Sequence, residues 1–139
     1  ARTDRTTLAS ALDIMPTVLD YAGAPVPDEL PGFSLRRAIE GESLAAPRDA
    51  LIGRLTQHRA GTNFRGEPDT TTRDPMGAPT AGYYRRDLRW YFVWLPDSGE
   101  TALYDVIDDP GQIDDRSADH PGLIAGFKRD INAWRAAYE

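Results

Sequence analysis

The chain has 139 residues, a net charge of -6 and 40% hydrophobic residues, about one domain's worth of sequence with material for one modest core. The acid excess argues against a nucleic-acid or anionic-membrane partner, since both call for clustered Lys and Arg, and no apolar run approaches the roughly 18 residues that span a bilayer. With no cysteine, disulfides, thiolate zinc sites and cysteine nucleophiles are excluded within the chain; no signal peptide opens it.

The first pattern is Ser10-Ala11-Leu12-Asp13, a capping box with Ser as N-cap and an acid three residues on. Leu12, Met15, Leu19 and Ala22 recur at helical spacing, and Gly23 and Pro25 end the segment. Pro16 lies inside it and is expected either to kink the helix or to divide a first turn from the body. Pro25, Pro27, Pro31 and Gly32 make 24–33 a fixed loop, and 34–39 gives one or two helical turns stopped near Gly41. Residues 50–55 predict a short buried strand. Residues 56–82 carry prolines, threonines and glycines with no period and read as an irregular insertion, functional or disordered.

Tyr83 to Leu95 is the strongest strand signal, with a tight turn expected at Arg86-Asp87. Pro96 to Gly99 is a hairpin turn, and Ala102 to Val106 is the returning strand. Asp108-Asp109-Pro110 stops it. Leu123, Ile124, Phe127, Ile131, Trp134 and Tyr138 fall on one stripe of a final helix, with Pro121 at its first position and Asp119 or His120 as cap. The sum is α+β: a small antiparallel sheet of three to four strands packed by a C-terminal amphipathic helix, preceded by another helix.

Few residues carry chemistry. Asp13 reads as a helix cap rather than a catalytic carboxylate. Asp105, Asp108 and Asp109 lack a calcium-loop spacing and read as turn formers. His120 reads as a helix-start residue, and no His, Asp and Glu cluster has metal-site spacing. Arg85, Arg86 and Arg89 beside Tyr83, Tyr84 and Trp90 could meet an anion or a carbohydrate, but an edge strand protected by charge is the simpler reading. His58 and Arg59 are the candidate substrate-binding pair: they follow a predicted strand and open the irregular segment, where binding residues concentrate.

Four motifs then combine in order. Ser10, Asp13, Pro16-Thr17 and Gly23 form the first; Pro31-Gly32-Phe33-Ser34-Leu35 with Gly41, the second. The strand from Arg86 to Val93 and the closing Leu103-Tyr104-Asp105, Asp109-Pro110 and His120-Pro121 complete the set. Together, over about residues 8–55 and 83–138, they resemble the C-terminal portion of the sulfatase family, within the alkaline-phosphatase-like superfamily. The resemblance implies that 1–49 ends a large α/β domain and that 50–139 is the C-terminal subdomain, with the insertion at 56–82. It implies a parent enzyme that hydrolyses sulfate esters, using a formylglycine made from Cys or Ser in a Cys/Ser-x-Pro-x-Arg motif and a divalent cation, usually calcium.

That motif is absent: none of Ser10, Ser34, Ser43, Ser98 and Ser117 is followed by x-Pro-x-Arg. No catalytic residue, metal ligand or cofactor is therefore expected in this chain, which is read as structural, pocket-lining and inert alone. The expected partners are the N-terminal catalytic domain of the same parent and, for the parent, a sulfated small molecule or carbohydrate. Self-association of the isolated piece through an exposed apolar patch is a further expectation. Two alternatives stay open: a phosphonate or phosphodiester hydrolase of the same superfamily, and a non-catalytic binding or assembly module. Nothing in the sequence chooses between cytoplasm and periplasm or exterior.

Overall fold

Ser10 opens the first helical segment as its spacing to Asp13 predicts. In the computed structural model, which describes residues 6–44, 48–57 and 80–138, both halves of the capping box form. The Ser10 side chain accepts from Leu12 N–H at 3.3 Å, and Asp13 Oδ2 accepts from Ser10 N–H at 2.7 Å. A single 3-10 turn, Ala11–Asp13, leads into α1, Ile14–Tyr21. Pro16 sits in the first turn of α1, where its missing N–H has no helical partner to lose, so it separates turn from helix without breaking either. A loop then leads to α2, Arg36–Glu40, which Gly41 ends at φ +96° in the left-handed conformation that glycine adopts freely. Gly32 is needed for a different reason: a Cβ there would run into the carbonyl of Leu12, so the loop touches the 3-10 turn backbone to backbone.

The chain divides into two compact units, Ala1–Leu51 and Ile52–Glu139. The second is built on a four-stranded sheet in the order β1 (Leu51–Gln57), β2 (Thr80–Arg86), β3 (Trp90–Trp94), β4 (Thr101–Asp105), with α3 (Pro121–Tyr138) after it. β2–β3 and β3–β4 pair antiparallel, and the fold is α+β. Strands claim both ends of the segment that sequence assigns to an irregular insertion; of it, 58–79 lies outside the described residues. β1 differs from the buried strand expected at 50–55. It lies at the edge of the sheet, and Leu51, Ile52, Gly53 and Leu55 are only half-buried.

Register decides which side chains share a face. Tyr83 stands opposite Trp94, Arg85 opposite Phe92, and Phe92 opposite Leu103. Tyr83, Phe92 and Leu103 therefore point to one side, where Phe127 and Ile131 of α3 complete the core, with Trp90, Trp94, Leu123, Ile124 and Trp134 partly buried around it. The ends of the predicted α3 stripe fare differently: Ile131 is fully buried, whereas Tyr138 is 76% exposed. Tyr84, Tyr91 and Tyr104 form a ring ladder on the opposite face, with centroids 6.2 and 6.4 Å apart. Gly53 makes room for it, since a Cβ there would lie 2.7 Å from the Tyr84 ring.

The outer edge of β4 is covered by the loop before α3. Leu103 N–H donates to Asp115 Oδ1 at 3.0 Å, and Arg116 N–H donates to the Leu103 carbonyl at 2.7 Å. A strand edge that would otherwise invite pairing is closed.

Candidate functional site

The polar side chains of the first unit converge on α1. Asp13 is fully buried and accepts four hydrogen bonds: from Ser10 N–H, from Phe33 N–H at 3.2 Å, and from Arg48 Nη1 and Nη2 at 2.8 and 2.9 Å. Burial works against its ionisation, but the Arg48 guanidinium and the two backbone donors outweigh it, and the carboxyl lies below the usual aspartate range. Arg48 also donates to the Leu8 carbonyl at 3.3 Å and lies 4.5 Å over the Phe33 ring. One turn on, Thr17 Oγ1 donates to the Asp13 carbonyl at 2.6 Å and accepts from Leu35 N–H at 2.9 Å. Another turn on, Asp20 accepts from Ser34 Oγ at 2.5 Å and from Arg36 Nη1 at 3.4 Å. The cap reading of Asp13 is thus half of its role. The other half is an ion pair to a residue 35 positions away, which no local pattern announces.

In the second unit the basic and aromatic residues are also committed. β2 lies inside the sheet, between β1 and β3, so the edge-strand reading of its arginines does not hold. Arg85 pairs with Asp87 at 2.6 Å and Asp130 at 2.8 Å and lies 4.0 Å over the Phe127 ring, tying α3 to the sheet. Lys128 over Trp94 and Arg135 over Tyr83, at 5.2 and 4.7 Å, cross the same seam. Arg89 pairs with Asp105 at 2.7 Å and more loosely with Asp108. Asp105 is partly desolvated, yet the Arg89 hydrogen bond and the Asp108 and Ile107 N–H groups hold its carboxyl below the usual range.

The acidic turn is structural throughout. Asp105 caps the N–H groups of Ile107 and Asp108, and Asp109 those of Ile113 and Asp114. His120 precedes Pro121, accepts through its carbonyl from Ile124 N–H at 3.2 Å, and meets the Trp90 ring edge-on at 4.9 Å. It anchors the start of α3. The burial of the Tyr91 ring, then its neighbours Tyr84 and Tyr104, push that phenol's pKa up and keep it protonated.

What these clusters can do chemically is limited by their closure. Among the described residues no buried side-chain nitrogen or oxygen lacks a hydrogen-bond partner, and no three His, Cys, Asp or Glu side chains converge as metal ligands would. The described residues do not fit the divalent cation that the sulfatase resemblance implies, and no catalytic step is drawn through it among them. His58 and Arg59 lie outside the described residues.

Comparison with known proteins agrees with the sulfatase resemblance. The sequence is 29% identical over 101 residues to an arylsulfatase from Clostridium perfringens, a match covering 73% of this chain and 17% of that protein. A solved 2-O GAG sulfatase superposes over 98% of this chain with a TM-score of 0.73 and 21% identity. The chain is sulfatase-like. It corresponds to the C-terminal portion of such proteins and spans only 27% of the length of the 2-O GAG sulfatase. The phosphonate monoester hydrolase of Agrobacterium radiobacter also matches this sulfatase-like chain, over 91% of its length at 25% identity and a TM-score of 0.60. No protein-family model matches.

The residues of the first sulfatase motif now have reasons. Ser10, Asp13, Pro16 and Thr17 are the cap, the ion-pair anchor, the first-turn break and the bridge to Leu35. Each of them builds the local structure of this segment.

Proposed function

We propose that this chain is the C-terminal part of a sulfuric ester hydrolase. Residues 1–49 would end its large α/β domain and residues 50–139 form its C-terminal subdomain. The observation that carries the reading is the arylsulfatase match combined with the absence of Cys/Ser-x-Pro-x-Arg from these 139 residues: family likeness without the family's nucleophile. The formylglycine and the divalent cation, calcium for preference, then belong to the part of the enzyme ahead of this chain, and this piece supports the pocket. His58 and Arg59 are its proposed contacts, with a cation and an imidazole suited to a sulfate or a sugar hydroxyl. The substrate class is a sulfated small molecule or carbohydrate.

Two experiments test this. The 139-residue chain, given an aryl sulfate and calcium, shows no turnover above background; turnover refutes the division of labour. The full-length protein hydrolyses sulfate esters in preference to phosphonate monoesters. In it, His58→Ala and Arg59→Ala raise KM without lowering the unfolding midpoint; an unchanged KM removes the pair from the pocket. The phosphonate monoester hydrolase match supports a second reading within the same superfamily, and the substrate preference of the full-length protein separates the two.

A further inference from the structure

Helix α1 is inside out. Its polar residues Asp13, Thr17 and Asp20, at i, i+4 and i+7, hold the loop from Phe33 to Arg36. Pro16 is fully buried and Leu19 half-buried, but the other apolar residues face away: Ile14 is 63% exposed, and Met15 and Val18 are each 57% exposed, with Leu12 and Tyr21 beside them about half exposed. Ile14, Val18 and Tyr21 are again at i, i+4 and i+7, one residue or about 100° round from the polar stripe. Met15 extends the apolar face to the side away from it, so one short helix carries two distinct faces, and the apolar one is left outside.

The helix cannot simply roll over. Burying Ile14 and Val18 inward would pull Asp13 from Arg48, Thr17 from Leu35 and Asp20 from Ser34 at once. An apolar patch held outward by a buried ion pair is a contact surface. We infer that this face, from Leu12 to Tyr21, packs against the preceding part of the same polypeptide, the rest of the α/β domain that residues 1–49 would end, an inference that rests on the reading of the chain as a C-terminal part.

Two observations favour that occupant. The proteins this chain resembles are far longer, the chain corresponding to the C-terminal 27% of the 2-O GAG sulfatase, so a large body of chain precedes the equivalent helix in them. A second copy fits less well: an eight-residue helix is about 12 Å long, too short for two such faces to approach the ~800 Å² per partner of a stable interface. Along Ile14, Met15 and Val18 the face carries no charged side chain, while the Arg36 guanidinium lies 5.1 Å over the Tyr21 ring at its end, so the surface that meets Ile14, Met15 and Val18 is apolar.

The test is cysteine accessibility. The chain has no cysteine, so Val18→Cys places one thiol on the outward face without touching the polar side. In the isolated 139-residue chain it reacts with a maleimide at the rate of a free cysteine peptide. In the full-length protein, read by peptide mass, it reacts slower by on the order of tenfold or more, as an interface opening only transiently would. Equal rates in both overturn the inference. So does protection within the isolated chain that fades on dilution, which would assign the face to a second copy. Sulfate-ester turnover is followed on the same full-length sample. Protection without turnover keeps the docking face and removes the proposed reaction; turnover without protection does the reverse.

Discussion

The two units solve burial in opposite ways. In Ile52–Glu139 an apolar core is inside: Phe92, Leu103 and Ile131 are fully buried, the exposed Ile107, Ile113 and Tyr138 lie in loops or at the chain's end, and no carboxylate paired with Arg85 or Arg89 is fully buried. In Ala1–Leu51 the charged pair is inside, with Asp13 at 0% exposure, while Ile14, Met15, Val18 and Ile39 look outward. The second unit has the layout of a self-sufficient core, sheet face against helix. The first is organised by hydrogen bonds and one ion pair, and its apolar surface is unspent. The same 139 residues thus hold a piece that closes on itself and a piece shaped for something else.

Substitutions can break or sharpen that contrast. The largest effect is expected in the second unit. Phe92→Ala should cost about 3–5 kcal/mol, since the ring is fully buried against Phe127 at 5.8 Å. All three tryptophans lie in this unit, so the urea midpoint of tryptophan fluorescence reads it directly; a shift below about 1 kcal/mol would remove Phe92 from the core.

The first unit should instead fail in acid. Asp13 has a lowered pKa when folded. Its contribution is therefore complete above the unfolded aspartate value of about 3.9 and is lost as pH falls through the lower folded value. Asp105 in the second unit is lowered in the same direction, but its partner Arg89 is more than half exposed. In ~1 M salt, where the Debye length is about 3 Å, the acid sensitivity of α1 amide exchange should persist while that of the Asp105 turn weakens. Equal salt response at both sites would contradict the burial difference.

A smaller effect is expected at Trp134. It lies on the α3 stripe but is only half-buried, so Trp134→Ala should cost about 1–2 kcal/mol, less than a fully buried aromatic. The smallest is at Gln112, whose φ of 55° makes it the one described non-glycine residue in the left-handed region. Gln112→Gly relieves that strain but loosens the unfolded chain, so the fluorescence midpoint should move by no more than about 0.5 kcal/mol.

Much of the second unit was legible in sequence because local signals sufficed. Aromatic and β-branched runs marked β3 and β4, Pro96 to Gly99 marked the hairpin, and Pro121 with the stripe from Leu123 to Trp134 marked α3. The position of β2 inside the sheet was not legible, since order is set by long-range pairing and a charged strand reads as an edge. The first unit misled in a different way. Its capping box and the stop at Gly41 could be read, and so could a stripe of apolar residues. The polar stripe of Asp13, Thr17 and Asp20 has the same spacing, however, and periodicity does not say which of the two stripes faces inward. Arg48, the residue that decides it, comes 35 positions later. The candidate pair His58 and Arg59 falls in a stretch with no period of either kind.

The central claim, that α1 is turned with its polar face in, is tested most directly by two substitutions on opposite sides of that helix. Composition alone would rank Val18→Asp, an apolar residue made charged, as the damaging change and Asp13→Asn as mild. The structure reverses the order. In the isolated chain, amide hydrogen exchange of α1 should show Val18→Asp within about 0.5 kcal/mol of the parent sequence, and Asp13→Asn less stable by about 3 kcal/mol, with Arg48 left beside a neutral partner. A Val18→Asp chain that loses α1 protection while Asp13→Asn keeps it would contradict the account.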